Sequence, residues 1–238
     1  MRDLTDFMHL VRTQVPDRSL RGILRTFPAT IALTTIITTT SLATRHLPHA
    51  EYERLLSRIG MSYADVWSHD AWHMFTVTFI QSDPGIGVGM LALLLSGLAL
   101  AEIQLGTWRT VVTFFTCDWI CTIVTATLLR AMLHLDVARI AEAFTEYDAG
   151  SSAAGLATLS AALVLLFPNR LAKIALAIVL AWNVASLGVI DFGPALVHAV
   201  AVVVGATFAQ LVWKRPHRPV TPAVTPPLAI RPLTDARA

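Results

Sequence analysis

Apolar residues in this chain gather into six runs, at about 27–44, 85–101, 110–132, 150–167, 171–190 and 194–213. Each is close to the roughly 20 residues an α-helix needs to cross the hydrocarbon core of a bilayer. Inside lipid, a helix satisfies its own backbone N–H and C=O groups without help from a neighbour. The runs therefore predict an all-α membrane protein, a six-transmembrane-helix bundle. Composition agrees, with 55% hydrophobic and only 14% charged residues, against about 25% charged in soluble domains, and a mean hydropathy of +0.61. In 238 residues, six spans leave no room for a separate soluble domain, and a net charge of +2 is too small for a nucleic-acid-binding surface.

The chain divides into three parts. Residues 1–26 carry Arg2, Arg12, Arg18, Arg21 and Arg25 around Phe7, Leu10, Val11 and Leu20, and read as an amphipathic cytoplasmic arm lying on the interface. No short apolar core with a small-residue cleavage site follows them, so the arm is not read as a cleaved signal. Residues 27–213 are the membrane domain, and 214–238, rich in proline and without an apolar period, read as a disordered cytoplasmic tail. The first span is rich in threonine, whose hydroxyls can bond back to helix carbonyls. Within the domain, 45–84 is a long connection with Tyr52, Tyr63, Trp67, Trp72 and Phe75, which predicts short helices in the headgroup layer, closed by Asp83-Pro84-Gly85. Glu102, Gly106 and Arg109 are read as a tight turn between the second and third spans, and 133–149 as a second polar connection.

With six spans, both termini share a side, and that side collects thirteen of the eighteen Lys and Arg. The positive-inside rule then makes both termini cytoplasmic in an integral, multi-pass plasma-membrane protein whose first partner is the lipid bilayer.

The residues with most chemical potential are Ser152 and His198. From Ser152 to Phe167, span four descends about 22 Å; span five climbs back about 30 Å from Leu171 to Ile190; span six reaches His198 about 6 Å after Pro194. The net offset is roughly 2 Å, so a hydroxyl and an imidazole share one layer just under the outer surface. Serine is a weak nucleophile until a base removes its proton, and histidine, which titrates near neutrality, is the usual base. Small residues surround both, among them Gly150, Gly155 and Ala157 on span four and Ala201 and Gly205 on span six. Such faces let transmembrane helices approach closely, as a hydrogen bond between two helices requires. The alternative is a back-bonded serine and a histidine capping a polar pocket.

At these residues the chain resembles the rhomboid family of intramembrane serine proteases. Gly150-Ser151-Ser152-Ala153 resembles the family's Gly-x-Ser-Gly at the start of the fourth span, with Gly150 and Ser151 supporting the site. His198, with Ala201 and Gly205 after it, resembles the sixth-span histidine followed by spaced glycines, and Glu102 with Leu105-Gly106 resembles the end of the second span. The resemblance covers roughly residues 60–213 and implies a rhomboid-like six-helix bundle that hydrolyses peptide bonds of membrane-anchored substrates. In it, Ser152 is the nucleophile and His198 the general base and then acid, with no cofactor and no metal. The Ser152 N–H, at a helix start, helps hold the oxyanion. Two departures stand out: Ile86-Gly-Val-Gly-Met90 lies where the family carries His-x-x-x-Asn, and Ala153 follows the serine in place of glycine. The same resemblance therefore also admits a pseudoprotease that binds transmembrane clients without cutting them.

Three further readings belong to other residues. Asp65, His69 and His73 fall at i, i+4 and i+8, a spacing that suits a metal on one helical face, although such residues more often make a solvated face. Asp118, costly in hydrocarbon, is expected to face the bundle interior as a structural acceptor or a proton relay. The relay would suit a small transporter, for which no inverted repeat or paired broken helices are seen. Cys117 and Cys121, in one apolar run, read as packing residues.

Overall fold

The computed structural model describes residues 19–68, 71–81, 87–148, 150–166, 170–186 and 192–213. Most of the arm, the tail, His69, Asp83-Pro84-Gly85 and the connections at 167–169 and 187–191 lie outside the described residues. The described chain is mostly helical. In order, its helices are α1 (Leu20–Thr26), α2 (Pro28–Thr44), α3 (His49–Ile59), α4 (Met74–Val77), α5 (Val88–Leu105), α6 (Thr107–Met132), α7 (Ala138–Thr145), α8 (Ser152–Leu166), α9 (Arg170–Ser186) and α10 (Phe192–Phe208). Among the described residues, α5, α6 extended by a 3-10 turn to Leu135, and α10 extended by a π-turn to Trp213 are each long and apolar enough to cross a membrane. The pair α1 and α2, bent by 93°, adds a fourth candidate if taken as one broken span, and α8 is apolar but shorter.

Helix α8 is the hub. It packs against α5, α6 and α10, and the reason is its composition. Ala153, Ala154, Gly155, Ala157, Ala161 and Ala162 are all buried, and they let three neighbouring backbones approach. On α5, a Cβ added at Gly97 would lie 2.9 Å from the Gly155 carbonyl oxygen. On α10, a Cβ at Gly205 would run into the Ala157 carbonyl. Cys117 and Cys121 of α6 fill the space between, in one cluster with Leu156, Val197 and Ala201.

The connection after α2 folds as short helices, as its aromatics suggest. α3 buries Tyr52 and Leu56 and exposes its charged face, and Trp67, Trp72 and Phe75 stay exposed. One feature was not foreseen: Met61–Ser62 (β1) pairs antiparallel with Tyr147–Asp148 (β2), joining the two polar connections.

Two readings are corrected. Glu102 is not part of a turn but buried inside α5, where its carboxylate accepts from the N–H groups of Ala29 (3.0 Å) and Thr30 (2.9 Å) and from the Thr30 hydroxyl (2.8 Å). The turn is Gly106 alone, at φ +77°, and Arg109 already belongs to α6, its guanidinium 5.1 Å from the Trp213 ring centre. Nor do Asp65 and His73 lie on one helix. Asp65–Trp67 and Ala71–His73 are separate 3-10 turns, because the chain is extended at Ser68. Of the threonines of α2, Thr44 bonds back to its own helix, Thr40 lies within reach of both its own helix and the Phe79 carbonyl, and Thr30 reaches across to Glu102.

A candidate serine–histidine site

Helix α8 begins at Ser152, after Gly150 turns the chain at φ +151°, a conformation L side chains rarely adopt. Ser151 lies at the helix start, its carbonyl accepting from the Gly155 N–H at 2.8 Å. The N–H groups of Ser152 and the residues after it belong to the first turn, where a helix offers donors and a partial positive charge.

Across from this start, His198 projects from α10, and its Nε2 stands 2.8 Å from Ser152 Oγ. That is hydrogen-bonding distance for a nucleophile and its base. The structure thus brings together the two residues that helix arithmetic assigned to one layer, although 46 positions separate them in sequence. Both are half-buried. Gly155 and Gly205 hold the neighbouring helices close, Gly205 against Ala157 and Gly155 against Leu93 and Leu94, while Ala201 is fully buried between α10 and α8.

Ser152 and His198 open onto a cavity of about 410 Å³. Its walls come from α5 (Met90, Leu93), α6 (Asp118, Thr122), α10 (Pro194, Val197) and the connection (Met61, Tyr63, Val77, Gln81). Asp118, buried as expected, accepts from the Thr78 hydroxyl at 2.6 Å. Of the supposed metal trio, the Asp65 carboxylate accepts from the Ser62 N–H and hydroxyl, and His73 packs edge-on against Trp72. Among the described residues no group of three His, Cys, Asp or Glu is disposed to hold a metal ion.

Sequence reasoning overlooked the segment 77–81. Its residues are fixed to several parts of the molecule. The Val77 carbonyl accepts from the Gly150 N–H at 3.2 Å, and the Thr78 hydroxyl reaches Asp118. The Phe79 carbonyl accepts from Thr40, and Ile80 packs with Tyr52 and Leu56. The Gln81 carbonyl accepts from the Tyr52 hydroxyl, while its side-chain Nε2 donates to Ser151 Oγ at 3.2 Å. The one sequence signal here was a lone glutamine two residues before Asp83-Pro84-Gly85, which carries no spacing pattern.

Comparison of the chain with family models, with curated proteins and with solved structures gives no match. The functional reading therefore stands on the geometry of the site and on the motif resemblance.

Proposed function

We propose that this protein is a rhomboid-like intramembrane serine endopeptidase that cleaves membrane-anchored polypeptides with a Ser152–His198 dyad. The observation that carries the reading is the 2.8 Å contact between Ser152 Oγ and His198 Nε2, made beside a cavity among apolar helices. His198 takes the hydroxyl proton as Oγ attacks the scissile carbonyl carbon. The tetrahedral intermediate collapses when the imidazolium returns that proton to the leaving amine, leaving an acyl ester on Ser152. Water, activated by the same imidazole, then attacks the ester and frees the serine. Asp118 and Thr122 give the α6 wall of the cavity polar atoms on which that water can be held. The proposal includes six spans and, from the excess of Lys and Arg on one side, cytoplasmic termini in the plasma membrane.

The absence of a His-x-x-x-Asn pair in the stretch ending at Met90 favours a second reading, a pseudoprotease that holds transmembrane clients. One experiment separates them. Protein purified in detergent is expected to cleave a transmembrane reporter and to be labelled by a fluorophosphonate at Ser152. Ser152→Ala abolishes both, and His198→Ala lowers both by about 10²–10⁴-fold, the usual worth of a positioned general base. Labelling indifferent to His198 removes the dyad. Client binding without cleavage by the wild type supports the pseudoprotease.

A further inference from the structure

We propose that the Gln81 carboxamide is an oxyanion donor of this site, and that Gly150 keeps open the gap in which the substrate's carbonyl oxygen sits. The inference rests on the serine-peptidase reading. A tetrahedral intermediate needs donors aimed at the oxygen that becomes negative, and a single first-turn N–H at Ser152 leaves room for a second. A Cβ built on Gly150 would stand 3.6 Å from Gln81 Oε1 and 3.8 Å from Ser152 Oγ. A methyl group there would be in van der Waals contact with both the carboxamide and the nucleophile, and glycine leaves that space empty.

The carboxamide is held for the task. Its backbone carbonyl is bound by the buried Tyr52 hydroxyl, and its Nε2 donates to the fully buried Ser151 hydroxyl. A hydroxyl both donates and accepts, so Ser151 can pair with either end of the amide. A half-turn of the terminal amide then points an N–H into the gap while Oε1 accepts from Ser151 instead. Gln81 comes from the connection before α5, whereas the dyad comes from α8 and α10, so the site closes only when the two parts meet.

The test uses full-length protein and the transmembrane reporter. Gln81→Met keeps the length of the side chain and removes the donor; Gln81→Glu can still accept from Ser151 but, ionised, donates nothing. Both are expected to lower kcat by about 10²–10³-fold, the cost of one oxyanion donor, with KM within about twofold of wild type and unfolding temperatures preserved. The fluorophosphonate labelling rate falls in parallel, because charge develops on its phosphoryl oxygen in the same place. A kcat within about threefold of wild type in either folded variant, or a loss confined to KM, overturns the role of Gln81 while leaving the dyad intact. No cleavage by the wild type overturns both.

Discussion

Gly205 lies one turn beyond Ala201 on α10, against the backbone of Ala157, and it shows how little freedom a single residue has here. Even a methyl group would meet the Ala157 carbonyl, so Gly205→Val must push α10 off α8 and draw His198 away from Ser152. Overpacking of this kind costs about 1–3 kcal/mol. The expected outcome is a lower unfolding temperature in detergent together with weaker fluorophosphonate labelling at temperatures where the variant is still folded. Val203→Ala, on the exposed side of the same helix, is expected to change stability by less than about 0.5 kcal/mol. Wild-type stability in Gly205→Val would mean that the two helices are not in contact there. The small residues were legible in the sequence because glycine and alanine at close spacing have one use between transmembrane helices. Gln81 was not legible, since its value depends on the rotation and tethering of an irregular segment that hydropathy does not encode.

At the scale of elements, α2 is capped from another helix. It starts with Pro28 and has no side-chain cap of its own, and the carboxylate of Glu102 does that work from α5. A negative group at a helix start also meets the positive end of the helix dipole. Glu102→Ala is expected to cost on the order of 3 kcal/mol, because each stranded buried donor costs about 1–3 kcal/mol. Glu102→Gln, which keeps one acceptor oxygen, should fall between. Thermal unfolding of the three proteins measures this, and equal melting would refute the cap. The ends of the helices were readable to within a few residues from where apolar runs stop. The Glu102 contact was not, because it links positions 73 residues apart and a glutamate beside Leu105-Gly106 reads locally as a turn. The two-residue strands were invisible for a similar reason: they are too short to show a period.

For the whole molecule, the charge asymmetry makes a topological prediction. Single cysteines introduced in 45–68 and 134–147 are expected to react with a membrane-impermeant maleimide on intact cells, and cysteines in 1–18 and 214–238 only after the membrane is opened. The native Cys117 and Cys121 are fully buried and should give little background. Labelling of the tail on intact cells would reverse the orientation. The order of the helices also carries a consequence in time. Ser152 begins α8, but His198 follows 46 residues later on α10, a delay of seconds at ordinary rates of translation. Until α10 docks, the serine is an ordinary alcohol, so under the proposed dyad nascent chains emerging beside Ser152 are spared until His198 has been made.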